Sequence, residues 1–287
     1  MTKTSPQVVL VTGSSSGFGY LTVTHLASLG HTVYASMRDS QRRQATFSHL
    51  KRITGKIIIC ELDVTNSQSI ENVIQQIATT EGYLDVVINN AGYGIGGFFE
   101  DLTAEEIRQQ MEVNFFGVQN VTRAVIPLMR SRKKGRIINI SSVAGLNASP
   151  CFGAYNASKW ALEGFSESLY HELKIFGIHV CMIEPGTYKT KIFFENSKYA
   201  KEFDNPDSPY YTLSQRLKRR VMAYVQKTDK DPMRIAYLVE KLMMKKNPAL
   251  RNFPDIETQM LLAVRRILPF KLYAGFLQKA LYQDKLI

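Results

Sequence analysis

Two hydrophobic periods alternate along the first two thirds of the chain. Residues 7–12, QVVLVT, are a short β-branched run, the pattern of a buried strand. A stretch rich in glycine and serine follows. Then Leu21, Val23, Leu26, Ala27 and Leu29 recur at helical spacing, and Gly30 ends that helix. Further strands are predicted at His31–Ser36, Lys56–Leu62 and Leu84–Asn89. Strand and helix patterns keep alternating as far as Glu184, which predicts a parallel sheet with helices on both faces. After Thr190 the alternation stops. Residues 191–230 scatter Phe193, Phe194, Tyr199, Phe203, Tyr210 and Tyr211 among polar residues, with Asn205-Pro206 and Ser208-Pro209 as helix breakers. In residues 257–287, Met260, Leu261, Val264, Ile267 and Leu268 share one helical face. Beyond Pro269 a second face carries Tyr273, Phe276, Leu277 and Leu281.

Composition narrows this picture. With 287 residues, 45% of them hydrophobic, the chain can bury one large core, and no repeat or low-complexity linker divides it. A single domain over 1–287 is expected. The polar start, MTKTSPQ, does not read as a signal peptide, and no apolar run approaches the ~20 residues that span a bilayer. Cys60, Cys151 and Cys181 lack metal-ligand spacing, and an odd count points to a reducing, cytoplasmic setting without disulfides or metal. Cys60 and Cys181 fall in predicted strands. Cys151 lies in the loop before Tyr155, where it either faces a substrate or packs. The net charge of +11 is dispersed over Arg130–Arg136, Lys218–Arg220, Lys245-Lys246 and Arg265-Arg266, with no nucleic-acid reader motif. Nucleic acid is therefore not an expected partner. An anionic cofactor would occupy a few of these groups, and an anionic membrane surface is the better candidate for the rest.

The candidate chemistry lies in ISSVAGLNASPCFGAYNASK. Tyr155 and Lys159 are one helical turn apart, thirteen residues after Ser142. A phenol has a pKa of about 10 and is a poor base at neutral pH; a lysine beside it favours the phenolate. A serine hydroxyl can hold a carbonyl or alcohol oxygen while the phenol gives or takes a proton. Taken alone, such a pair is also the edge of a solvated helix. The hydride needed for alcohol/carbonyl interconversion has to come from a cofactor, because no side chain supplies one.

The glycine loop provides for that cofactor. Gly13, Ser14, Ser15, Ser16, Gly17, Phe18 and Gly19 stand between a predicted strand and a predicted helix, where glycines let the backbone approach a pyrophosphate at the helix start. The second strand ends in Met37-Arg38, without the acidic residue that would bind ribose hydroxyls and mark NAD. A guanidinium there suits a 2′-phosphate, Ser14 could add a hydroxyl contact, and NADP(H) is favoured. Arg38 could instead point into solvent. Asp63-Val64 ends the third strand, where the carboxylate either accepts from an adenine amino group or caps the next helix, Thr65–Gln68 also fitting a capping box. Asn89-Asn90-Ala91-Gly92 ends the fourth.

Taken in order, these pieces resemble the short-chain dehydrogenase/reductase family in its one-domain form, over residues 7 to about 190. The matching motifs are TGSSSGFG at Thr12–Gly19, NNAG at Asn89–Gly92, Asn114 in MEVNFFG, the Ser142/Tyr155/Lys159 set, and Pro185, Gly186 and Thr190 in EPGTYKT, which also contains Tyr188. VYASMRD, NNAGYGIGG and PALRNFP are most similar to the hydroxysteroid and retinol dehydrogenase branch. The resemblance implies a doubly wound Rossmann-type α/β sheet of order 3-2-1-4-5-6-7 with a C-terminal helical extension. It implies Tyr155 as the acid/base, Lys159 lowering its pKa and holding the nicotinamide ribose, and Ser142 orienting the substrate oxygen. Asn114 would anchor a water leading from Lys159, residues 185–190 would close over the nicotinamide, and Asn90, Ala91 and Gly92 would help bind the cofactor. The reading is an NADP(H)-dependent oxidoreductase of a bulky apolar alcohol or carbonyl, forming a homo-oligomer, with 191–230 as a substrate lid. Its alternatives are a reductase of a smaller polar carbonyl or acyl-thioester and a non-catalytic NADP(H) sensor on the same fold. The extension at 257–287 either meets a membrane surface or packs on its own domain or a partner subunit.

Overall fold

The computed structural model of the chain describes residues 5–50, 53–190 and 198–282. Its strands are β1 (Val8–Val11), β2 (Thr32–Met37), β3 (Lys56–Glu61), β4 (Val86–Asn89), β5 (Ile95–Gly96), β6 (Gly135–Ile140), β7 (Ile178–Ile183), β8 (Lys198–Tyr199) and β9 (Arg251–Asn252). Seven of them form one parallel sheet of order β3-β2-β1-β4-β6-β7-β9, while β5 and β8 pair separately. Counted within the large sheet alone, the order is 3-2-1-4-5-6-7, as the sequence predicts. The direction of winding reverses between β1 and β4, which opens a crevice above their carboxyl ends.

The helices are α1 (Gly17–Ser28), α2 (Ser67–Glu81), α3 (Ala104–Met111), α4 (Gly117–Ser131), α5 (Gly153–Leu173), α6 (Tyr211–Lys227), α7 (Met233–Met244), α8 (Ile256–Ile267) and α9 (Phe270–Tyr282). Strand alternation sends Val9 and Val11 to one core with Val23, Leu26 and Val239, and Val8 and Leu10 to another with Val73, Val121 and Ile137. Each such side chain contributes about 1.5–3 kcal/mol on burial, so the two cores dominate the sheet's stability. Helix α2 shows the local logic. Ile70, Val73 and Ile77 line its buried stripe, Asn66 accepts the Ser69 N–H at 3.0 Å, and Gly82 ends it in a left-handed conformation. The cap is thus Asn66, and neither Asp63 nor a Thr65–Gln68 box fills that role.

A buried polar chain runs beneath the crevice. The Asn89 amide donates to Thr122 Oγ1 (3.1 Å) and Asn139 Oδ1 (2.8 Å), and the Asn139 amide donates to Ser166 Oγ (2.8 Å). It joins β4, β6, α4 and α5 under the candidate site.

Downstream of β7 the described chain resumes as β8, which clips onto β5, and Ala200 N–H donates to Gly96 O at 2.8 Å. Phe203 packs with Ile95, Leu102, Cys151, Ala154 and Leu217 in a small third core. Cys151 is therefore a packing residue; Cys60 and Cys181 are buried as predicted. Phe193 and Phe194 lie outside the described residues. Among the described residues the C-terminal helices attach through the buried Asp255–Thr258 cap of α8, the ion pair of Lys230 with Glu257 and the Tyr273 hydroxyl on Asn147. Their predicted apolar face is only partly covered by the domain: Met260, Leu261, Val264, Ile267 and Phe276 are exposed, as is Phe270 between the helices, while Tyr273 is buried and Leu268 and Leu277 are half-buried. The side chain of Leu281 lies outside the described residues. Among the described residues no helix is long and apolar enough to cross a membrane.

Replacing Asn89 by Ala leaves Asn139 Oδ1 buried without its donor. The expected loss is about 1–3 kcal/mol of unfolding free energy, measured by urea denaturation.

Candidate active site

The floor of the crevice is a lock between the loops after β1 and β4. Thr12 Oγ1 accepts the backbone N–H groups of Asn90 and Ala91, both at 3.0 Å, and the Asn90 amide reaches back to the carbonyls of Thr12 (2.9 Å) and Gly13 (3.0 Å). The approach leaves no room for side chains. A Cβ on Gly13, whose φ is +67°, would lie 2.8 Å from Ala91 Cα, and one on Gly19 would lie 2.4 Å from the Gly13 carbonyl oxygen. Gly17 is also left-handed, and open space stands where its Cβ would be. Helix α1 begins there without a side-chain cap and without an acidic residue in its first turn. Open backbone at an uncapped, uncharged helix start suits a pyrophosphate, so the loop fits a dinucleotide. Ser15, Ser16, Gly17 and Phe18 are half-buried along it.

Ser14 departs from expectation. Its buried hydroxyl donates to Val11 O (3.0 Å) and Ser36 O (2.9 Å), so it braces the loop and is not turned toward a 2′-phosphate. Arg38 is exposed at the end of β2, and its charge reaches the Tyr93 phenol, where it partly offsets the upward push of burial. Asp39, directly after it, is held in a left-handed conformation (φ 53°). Asp63 is half-buried and accepts from Thr65 N–H (2.9 Å) and Oγ1 (2.8 Å). Val64 is buried, with its carbonyl taken by the Asn120 amide at 3.3 Å.

Ser142, Tyr155 and Lys159 come together above β6 and the start of α5. Ser142 opens a short 3-10 turn, Val143–Gly145, and its Oγ accepts the Ala144 N–H at 3.1 Å. Its hydroxyl faces the Tyr155 phenol and favours the phenolate. The Tyr155 ring lies along Gly94, at ordinary contact distance from where a Cβ would stand. Lys159 is buried, donates to the Ile140 carbonyl at 2.8 Å, and sits 5.9 Å from the centre of the Tyr155 ring. Burial pushes the phenol's pKa up, and the Ser142 contact only partly offsets this. Burial also brings the lysine down to about 8, against the pull of Glu163. Burial thus outweighs the Ser142 contact for the phenol and the pull of Glu163 for the lysine.

Asn114 lies in a π-helical turn, Glu112–Phe116, between α3 and α4. Such a turn inserts a residue into the helix and re-aims its side chains, often at functional sites. The amide donates to Tyr93 O (2.9 Å) and Ser158 Oγ (3.1 Å), and Oδ1 accepts the Tyr93 N–H (3.1 Å). The side chain therefore fastens the loop after Gly92 to α5 beside Tyr155. Pro185 and Gly186 follow β7, and the Pro185 carbonyl accepts the Val143 N–H at 3.0 Å. A Cβ on Gly186 would lie 2.7 Å from Thr258 Oγ1, so this segment rests on α8. Tyr188 is turned inward: its buried hydroxyl donates to Asp255 at 3.1 Å and its ring meets Phe18 edge-on. Thr190, half-buried, ends the described part of the segment.

Several residues here escaped the sequence reading. Thr12 stood in a quoted motif, but its role appears only when β1 and β4 are adjacent. Glu163 was within reach, being one turn beyond Lys159 on the same helical face.

The comparisons with known proteins agree with this geometry. The family model described as short chain dehydrogenase matches residues 7–200, and the chain belongs to that family. It is 38% identical over 261 residues to 3-ketodihydrosphingosine reductase of Bacteroides thetaiotaomicron, covering 90% of this chain and 91% of that one. A metagenomic short-chain oxidoreductase solved in complex with NADP superposes with a TM-score of 0.69 at 27% identity, over 88% of this chain and 98% of the other. A short-chain dehydrogenase/reductase of Burkholderia phymatum, solved in complex with NAD, shares the fold over 100% of both chains, with a TM-score of 0.81 at 24% identity. The chain is thus an oxidoreductase of a nicotinamide dinucleotide.

Proposed function

We propose that this protein is an NADP(H)-dependent reductase that converts a carbonyl on a bulky, lipid-like molecule to an alcohol. The observation that carries the reading is the half-buried Tyr155 phenol, facing Ser142 and one turn from Lys159, beside a glycine-lined crevice. When bound, the nicotinamide supplies the hydride. Held in its protonated form by burial, Tyr155 is suited to give a proton to the substrate oxygen. Ser142 orients that oxygen with its hydroxyl. Lys159 holds positive charge beneath the phenol as the proton leaves.

The preference for an apolar substrate is supported by the aromatic segment above Tyr155. Tyr199 and Phe203 pack over the Cys151–Ala154 turn, and Tyr210 stacks on Phe98 at 4.5 Å. We read residues 191–230 as the lid over an apolar cleft. The name of the Bacteroides relative, 3-ketodihydrosphingosine reductase, is in keeping with this. Phe replacement of Tyr155 is expected to cut turnover at least ~10²-fold on a confirmed ketone, with NADPH binding nearly intact. A variant retaining a tenth of native activity would remove Tyr155 from the role.

Arg38 supports the choice of NADP(H), as a guanidinium at the strand end where a ribose 2′-phosphate would lie. Arg38→Asp is expected to weaken NADPH and relatively favour NADH, read by calorimetric titration of both. Equal binding of the two by the native protein would refute the preference.

The exposed face of α8 and α9 gives the lipid a route. Met260, Ile267, Phe270 and Phe276 project from helices that carry Arg265, Arg266, Lys271 and Lys279, and Tyr273 anchors α9 to Asn147 in the loop after Ser142. Apolar residues flanked by cations match an anionic bilayer surface, each nearby cation adding about 1 kcal/mol. The intact protein is expected to co-sediment with anionic liposomes at low salt and to release at high salt. Failure to sediment, with a doubled mass by light scattering, would assign the face to a second copy of the chain.

A further inference from the structure

Glu163, one turn beyond Lys159, takes no direct part in the chemistry above, yet four elements converge on its buried carboxylate. The Ser141 hydroxyl, adjoining Ser142 at the end of β6, donates to one of its oxygens, and Arg251 of β9 donates to the other. Arg251 also donates to Glu184 at 3.0 Å and to the exposed Glu167 at 3.1 Å. Glu184 is fully buried at the end of β7, directly before Pro185-Gly186. The turn carrying Ser142 packs on the same group: a Cβ on Gly145 would lie 2.8 Å from Glu163 Cγ and 3.1 Å from the Lys159 carbonyl oxygen. Lys159 itself faces Tyr155, Glu163 and the Ile140 carbonyl.

The charges in this cluster do not balance if both buried glutamates are ionised. They share one guanidinium, which a third carboxylate also uses. Glu184 Oε2 is buried with no hydrogen-bond donor facing it. Glu163 Oε2 and Glu184 Oε1 share Arg251 Nη1, which brings the two carboxylates together, and a proton on Glu184 would serve both. Two carboxylates in contact at a buried site do not both ionise at neutral pH.

We propose that Glu163 and Glu184 share a single proton at neutral pH and, with Arg251, act as the positioning group that holds Ser142 and sets the charge on Lys159. Burial and the neighbouring Glu163 push Glu184 up to about 9, and burial raises Glu163 as well, while Ser141 and Arg251 pull Glu163 back. The proton therefore resides on Glu184 and the negative charge on Glu163, nearer Lys159. That anion keeps the buried lysine protonated against desolvation.

The role in proton transfer rests on the reading of Tyr155 and Lys159 given above; the shared proton does not, and the two are measured separately. The first arm needs no substrate. The folded pair holds a proton that an unfolded glutamate, with a pKa near 4.3, releases. Its stabilising contribution is complete below that value and declines as pH rises toward about 9. Glu184→Gln places an amide N–H where the shared proton sits and removes this decline. Its melting temperature relative to the native protein is expected to rise steadily from pH 5 to pH 9. A difference that does not change with pH would overturn the shared proton.

The second arm follows carbonyl reduction against pH. Glu163→Gln removes the anion, so the alkaline limb of kcat should move down by about one pH unit, and Glu163→Asp should restore most of that shift. At pH 8 the kcat of Glu163→Gln should fall about fivefold further than that of Glu184→Gln. Equal losses in the two variants, or an alkaline limb that stays in place, would reduce the cluster to a structural tie. If Glu163→Gln does not fold, the pH dependence of the Glu184→Gln melting temperature still decides whether the proton is shared.

Discussion

The site depends on the Thr12 hydroxyl. One oxygen accepts two successive backbone N–H groups from the loop after β4, and the Asn90 amide returns two bonds to the loop after β1. Buried backbone donors left unpaired are costly, so this exchange fixes the two loops at one separation. At that separation Gly13 and Gly19 have no space for a Cβ, and the start of α1 lies open to the crevice. A parallel sheet supplies the topology, but its strand ends are loops, and loops drift unless bonded to one another. The Asn89–Asn139–Ser166 chain extends the same bracing one layer down, to the helix that carries Tyr155 and Lys159.

Rigid placement has an electrostatic consequence. Lys159 is buried with Tyr155 half-buried beside it, and burial disfavours the charged form of each. Burial thus raises the phenol, while the lysine, at about 8, keeps most of its charge at neutral pH.

Much of this was legible in the chain, for reasons that differ by element. VVLV at β1 and VVIN at β4 are short apolar runs buried on both faces, and the helical stripe of α2 reads directly as Ile70, Val73 and Ile77. The triad was legible because Tyr155 and Lys159 need only one helical turn to meet. What stayed hidden required knowledge of neighbours distant in sequence. Ser14 is identical in the chain whether its hydroxyl faces a phosphate or the Ser36 carbonyl, and β2 decides that. Tyr188 turned toward Asp255, which arrives 67 residues later. The π-turn at Asn114 leaves no periodic signature, because it is a single inserted residue within an otherwise continuous helix. The tail's apolar face was visible as a pattern, yet whether anything covered it was a question of tertiary contact.

The edge strand β9 is only two residues long, but it lies beyond the aromatic excursion and returns the chain to the sheet beside β7. Everything between β7 and β9 is therefore held at both ends by fixed points, with β8 clipped to β5 along the way. Such an arrangement is modular. The stretch from β8 through α6 could be shortened, lengthened or exchanged between relatives while α7, buried in the main core through Val239, Arg251 and the strand ends keep their places. Diversity of substrate would then accumulate in one replaceable stretch, and the proton-handling apparatus would be inherited unchanged.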